Sequence, residues 1–202
     1  FDRNRIVPEG MGVNIHFFDH EPGMDALKSL DMRWLRMDIT WDRVEREKGV
    51  YDFSQVDKLM NDAKARGLRV LAIIDYANKL YEPEQKVISE AGRRAYSAYA
   101  AALVRRYAGH DVIWEIWNEP DLHDNMWNAD LEEFIRFYGI VAARIKRRFP
   151  KLMIGGPAFC GLNEHQLRLL AAECRRTGAP LDFFSWHSYT ADIGWMLEPV
   201  SY

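Results

Sequence analysis

The sequence predicts an α/β fold of the (β/α)8 TIM-barrel type, with about the first six β/α units present in its 202 residues. Three observations predict it. Runs of apolar, β-branched and aromatic residues alternate with stretches of helical periodicity from Gly12 to His187. Such alternation, with strands dense in apolar residues, means a parallel sheet covered by helices. Polar and aromatic residues then follow nearly every strand: His16, Asp38 and Trp41, Asp75 and Tyr76, Asn118 and Glu119, His187 and Tyr189. In a barrel those ends converge on one mouth, where active sites lie. No Gly-rich phosphate loop follows the first strand, which argues against a doubly wound dinucleotide fold.

The elements justify themselves in order. Residues 12–17 (GVNIHF) read as the first strand, and Pro22 opens a short helix to Leu30. Residues 33–39 (RWLRMDI) form the second strand. Asp52 is the expected N-cap of a helix to Arg66, with Gln55 completing a capping-box-like pair and Gly67 ending it. Val56, Leu59, Met60 and Ala63 give that helix its apolar stripe. Residues 68–74 (LRVLAII) are the third strand, followed by a long helix from Glu90 to Tyr107. The fourth strand spans 111–117. Asp130 with Glu133 suggests a second capping box, opening a helix that stops before Pro150. Residues 152–155 make a fifth strand, and Asn163 with Gln166 caps a helix ending at Gly178. Residues 182–187 (DFFSWH) are the expected sixth strand. No linker, repeat or low-complexity segment interrupts the chain, so 1–202 reads as one domain.

Composition narrows the function. With 27 basic and 30 acidic residues, the net charge of −3 gives no support for a nucleic-acid or anionic-membrane partner. No apolar run approaches the roughly 20 residues that span a bilayer. Phe1 in place of a start Met suggests a processed or trimmed chain. Secretion or a periplasmic site fits an enzyme acting on extracellular glycans, but no targeting segment stands in the sequence. Cys160 and Cys174 match no zinc spacing and read as thiols, with a disulfide left open. No cofactor is implied.

The chemistry concentrates in residues 114–121, WEIWNEPD. The stretch begins as a strand and ends abruptly. Pro120 lacks a backbone donor and should push Glu119 towards an extended conformation. Neighbouring residues in a regular strand face opposite ways, so the strand must end or bulge for Asn118 and Glu119 to serve one site. A carboxylic acid beside an amide, ringed by tryptophans, suits acid catalysis on a sugar. Asp121, His123 and Asp124 resemble metal ligands on paper, but a solvated loop is the simpler reading.

WEIWNEPD, the second-strand RWLRMDITW, a Tyr-Asp-Phe helix entry and the late FFSWHSYT together resemble a clan A glycoside hydrolase, most closely family 39. The resemblance covers nearly the whole chain. It implies a (β/α)8 barrel, a retaining mechanism and a carbohydrate substrate. On that resemblance Glu119 is the general acid/base, protonating the departing oxygen and then deprotonating the attacking water. Asn118 hydrogen-bonds the sugar 2-hydroxyl, and Arg36 holds the nucleophile ionised. On the same resemblance His187 and Tyr189 line the sugar subsite or touch the nucleophile; His16 follows its strand to the mouth, and Trp41 and Trp127 are candidate platforms for sugar rings. Structural alternatives stay open: Arg36 pairing with Glu115 or Asp38, His187 as a structural histidine, and Tyr189, Trp41 and Trp127 as rim packing.

The chain departs from that pattern at its end. A retaining glycosidase needs a second carboxylate about 5–5.5 Å from the first, and the resemblance places it on a seventh strand. Tyr202 lies fifteen residues beyond His187, too few for two further β/α units; such barrels usually need about 250 residues. Glu198 is the one acidic residue in the tail that could imitate the nucleophile. An open six-stranded sheet would leave apolar edges. The expectation is therefore a portion of a longer protein or a barrel completed by a second polypeptide. The alternative is a sugar-binding relative without turnover. A metal-dependent barrel hydrolase fails on its missing ligands.

Overall fold

The computed structural model describes residues 10–122 and 126–189. Five parallel strands lie in sequence order: β1 (Gly12–Asn14), β2 (Trp34–Thr40), β3 (Arg69–Asp75), β4 (Val112–Ile116) and β5 (Ile154–Gly155). Helices α1 (Glu21–Ser29), α3 (Ser54–Arg66), α4 (Glu90–Arg106) and α5 (Leu131–Arg148) form the crossovers, and α6 (Glu164–Thr177) follows β5. A single turn of helix, α2 (Trp41–Val44), starts directly at the end of β2. The order β1 to β5 without a strand reversal is that of a partial α/β barrel.

Both faces of the strands are used. Leu35, Met37, Ile39, Val70, Ala72, Ile74, Trp114 and Ile116 are buried and belong to one apolar core. The alternate positions of β2 are Arg36, Asp38 and Thr40. They stand in register with Leu71, Ile73 and Asp75 of β3, and Ile73 in turn with Glu115 of β4. Residues in register share a face, so charged side chains gather on the other face towards the C-terminal ends of the strands.

Helix ends follow local chemistry, with some departures from the sequence reading. Ser89 and Asn163 cap α4 and α6 by accepting backbone N–H bonds. Gly67 and Gly178 terminate α3 and α6 in the left-handed region, with φ of 70° and 69°. Asp52, expected as the N-cap of α3, sits one residue earlier. Its carboxylate accepts from Ser54 N at 3.0 Å, a local turn that leaves Phe53 at the cap and Gln55 without a box partner. Asp130 does hold the cap position of α5, but with no side-chain bond. Glu133 instead pairs with Arg93 and Arg136.

The expected sixth strand is not a regular strand. Residues 182–187 run beside the end of β5 and share one parallel bridge, Phe159 with Trp186. Backbone bonds still hold the stretch: Asp182 N donates to Ile154 O, Gly156 N to Phe183 O, Phe159 N to Ser185 O, and His187 N to Phe159 O. The ladder breaks because Pro157 offers no N–H and Gly156 and Ala158 adopt φ of 114° and 53°. The first strand is also shorter than expected. Among the described residues no helix is long and apolar enough to cross a membrane. Cys160 and Cys174 are both free thiols.

Candidate active site

The strand-to-loop transition after β4 builds the site. Trp117 and Glu119 both have left-handed backbones, with φ of 70° and 51°. Side chains rarely adopt that region, at a cost of about 1–3 kcal/mol each. The expectation that the strand must break is met, but Glu119 is not extended as Pro120 suggested. Glu119 N donates to Ala158 O and Glu119 O accepts from Leu122 N, which hold the turn. Burial of Trp117 offsets the strain. Its ring contacts Trp127 at 5.0 Å and Phe137 at 5.5 Å, and its indole donates to Met126 O at 2.9 Å. Such aromatic pairs contribute about 0.5–1.5 kcal/mol each beyond area burial.

Glu119 is 7% exposed. His187 Nδ1 lies 2.5 Å from its Oε1. Oε2 has no hydrogen bond to the described residues and is the atom free to meet a ligand. Asn118 is fixed at both ends of its amide: Oδ1 accepts from Arg36 Nη2 at 2.7 Å, and Nδ2 donates to the Tyr76 hydroxyl at 3.2 Å. Arg36 Nε donates to Glu115 Oε2 at 2.8 Å, and its Nη1 reaches Asn14 Oδ1 at 3.3 Å. Ser185 Oγ donates to the other oxygen of Glu115, which is fully buried. The alternative of Arg36 pairing with Glu115 is thus the one observed. A buried carboxylate with a guanidinium and a hydroxyl as partners avoids the penalty of an unpaired interior charge.

A cavity of about 410 Å³ opens over these groups, and Asn118, Glu119, Arg36, Asp38, His16 and Tyr189 are among its lining residues. His16 stands at the rim, 3.7 Å from Asp38 and largely exposed. Tyr189 is 88% exposed and meets His187 edge-on at 6.1 Å. A larger cleft of about 670 Å³ lies between Asp42–Arg46 and the 77–85 loop. Its Glu45 is taken up by Trp41, Tyr81 and Gly49, so the cleft offers no free acid from that residue.

Two expected sugar platforms are corrected. Trp41 has no exposed surface: α2 begins at Trp41 itself and turns the ring into a stack between Tyr81 and Tyr99, with centroids at 5.0 and 5.8 Å. Trp127 is equally buried. Neither ring has a face for a sugar. His123, Asp124 and Glu198 lie outside the described residues. Asp121 accepts from Cys160 N, a structural bond.

Some residues escaped the sequence reading. Ser185 lies two before His187, and Asn14 two before His16. In extended chain that spacing shares a face, so both were findable. Asp75 is the less expected case. It is fully buried, with neither oxygen hydrogen-bonded by a donor, beside Asp38. Burial first, then Asp38 and Glu115, push its carboxyl well above the ordinary range, against an opposing pull from Arg36. Burial likewise raises the Tyr76 phenol, which stays protonated.

The family model described as glycosyl hydrolases family 39 matches residues 17–197. A β-xylosidase of Geobacillus stearothermophilus is 27% identical over 159 residues, covering 71% of this chain and 32% of that protein. A β-xylosidase of Caldicellulosiruptor saccharolyticus is 34% identical over 115 residues, covering 57% and 22%. The chain therefore spans about a third or less of the curated relatives it matches. Among solved structures, a GH39 enzyme of Xanthomonas axonopodis pv. citri superposes with a TM-score of 0.74 at 22% identity, covering 90% of this chain and 41% of that one. A monomeric β-xylosidase of Caulobacter crescentus gives 0.72 at 22% identity, covering 89% and 41%.

Proposed function

Because this chain belongs to glycosyl hydrolase family 39, we propose that it is the acid/base-bearing part of a retaining glycoside hydrolase that cleaves O-glycosidic bonds, with β-xylosides as the first substrates to test. The observation that carries this reading is Glu119: buried, held through Oε1 by His187, with Oε2 free at the cavity.

In the first step Glu119 Oε2 gives its proton to the departing glycosidic oxygen while a second carboxylate attacks the anomeric carbon. In the second step Glu119 takes a proton from water, which displaces that carboxylate and releases the sugar. His187 fixes the carboxyl's direction. The Arg36–Asn118–Tyr76 chain of bonds presets Asn118 towards the bound ring. His16 and Tyr189 contact the sugar at the rim. Arg36 acts by orienting Glu115 and Asn118.

The nucleophile comes from outside the described residues, in this polypeptide or in a second one that adds β/α units. One observation favours the other reading, sugar binding without turnover. Glu115 is bonded by Arg36 and Ser185, and Asp75 is shut inside the barrel, so neither offers a free nucleophile.

The test is Glu119→Gln in the full-length protein. Turnover of substrates with poor leaving groups should fall by about 10²–10⁴, while the first step on activated aryl glycosides is largely spared. Azide should rescue Glu119→Ala. Equal activity of parent and Glu119→Gln on a natural xylan fragment would overturn the role. Sugar binding without turnover, indifferent to Glu119→Gln, would establish the binding-only reading.

A further inference from the structure

The floor of the cavity holds a pair of acids that the mechanism above does not use. Asp38 lies on β2, one layer below Thr40, and Thr40 stands in register with Asp75 at the end of β3. Asp38 reaches the cavity with its side chain 22% exposed. Asp75 is fully buried next to it. Two carboxylates offer each other only lone pairs, so contact between them becomes a hydrogen bond only when one carries a proton. Neither Asp75 oxygen receives a bond from any described donor.

The other ionisable groups around Asp75 are already committed or cannot help. Arg36 is taken by Glu115, Asn118 and Asn14. Glu115 is a further anion. The phenols of Tyr96 and Tyr99 donate to Ile74 O and Ile39 O, and Tyr76 binds Asn118.

We propose that Asp38 is a specificity-determining residue, its carboxylate accepting hydrogen bonds from the hydroxyls of an uncharged sugar while the neighbouring Asp75 carboxyl, holding the pair's one proton, donates to it. The proton belongs on Asp75 because burial penalises charge there more than on Asp38, which touches the cavity. Asp75 is then a positioning residue. It turns Asp38 into a fixed acceptor that needs no reorganisation when sugar binds.

The chemistry of the ligand follows. The one Lys or Arg on the cavity floor among the described residues is Arg36, already occupied, and Arg43 is exposed at the rim. Among the described residues a uronate would bring its carboxylate against Asp38 with no free Lys or Arg deeper than the exposed Arg43 at the rim. A neutral pyranose offers only hydroxyl donors, which Asp38 accepts. This deepens the glycosidase reading and rests on it for the identity of the ligand as a sugar.

The experiment uses the full-length protein and two uncleaved probes, a thio-linked aryl β-xyloside and the matching β-glucuronide, titrated calorimetrically. The parent should prefer the xyloside by about tenfold or more, and Asp38→Asn should weaken xyloside binding by about ten- to a hundredfold and narrow the preference. Asp75→Asn keeps a donor in place and should retain most of the affinity, whereas Asp75→Leu should match Asp38→Asn. Infrared spectra at neutral pH read the pair without sugar: the parent should show, apart from the Glu119 carboxyl, a protonated carboxyl band that Asp75→Asn removes and Glu119→Gln leaves in place. Equal xyloside affinity in Asp38→Asn and parent overturns the proposal, as does the absence of that band. A parent that binds neither glycoside overturns the glycosidase reading and the recognition role together. A surviving band distinguishes that result from failure of the acid pair.

Discussion

Trp117 and Asn118 are neighbours in sequence, yet they belong to two different solids. Trp117 sits in an aromatic layer with Trp127, Phe134, Phe137 and Tyr96, without exposed surface. Asn118 sits in a polar lattice with Arg36, Glu115, Tyr76 and Ser185. The aromatic layer is non-directional and gains stability from burial. The polar lattice gains geometry instead, since each of its bonds replaces one to water and nets about 0.5–1.5 kcal/mol. The left-handed backbone between them throws one side chain to each side. Stability and orientation are therefore supplied by separate materials joined at a strained turn.

Substitutions can break that comparison. Trp117→Ala should cost about 3–5 kcal/mol in urea unfolding, because the cavity it leaves cannot collapse against helices α4 and α5. Arg36→Met should cost about 3 kcal/mol by leaving Glu115 buried and uncompensated, and unlike Trp117→Ala it should also disorder Asn118. An Arg36→Met loss below 0.5 kcal/mol would mean that the polar lattice does not need its cation.

Asp75→Asn sharpens the comparison with a change of opposite sign. The folded Asp75 holds its proton above the ordinary value of 3.8, where the unfolded chain releases it. Its contribution is thus fully present below that unfolded value and declines as pH rises towards the raised folded one. The amide does not titrate. The melting temperature of Asp75→Asn relative to parent should therefore climb from pH 4 to pH 7, read by thermal denaturation in matched buffers. A flat difference would place an ionised Asp75 in the fold. The smallest effect belongs to Tyr189→Ala, within about 0.5 kcal/mol of parent stability, since that ring is almost wholly exposed.

The fold was largely legible because strand–helix alternation and glycine stops are local signals. Gly67 and Gly178 ended their helices where expected. The position of Glu119 at a strand tip followed from Pro120. What was not legible depended on direction rather than on type. Trp41 read as a rim aromatic because it follows a strand, but the immediate start of α2 turned it inward. Asp52 accepts the backbone N–H of Ser54 two residues on, and the helix cap falls on Phe53. The sixth strand failed on its partner's geometry at Gly156–Ala158, which its own residues could not reveal. Asp75 read as one more polar strand end, because sequence does not say which acids lie in contact.

Glu119 with φ of 51° has a further consequence, for laboratory evolution. Glycine adopts that backbone without steric cost, so Glu119→Gly relieves strain while deleting the acid. A library screened only for heat resistance would drift towards this lesion and collect robust, silent proteins. A screen that couples heating to sugar release would hold the position at Glu. The acid survives selection only where turnover is part of what is selected.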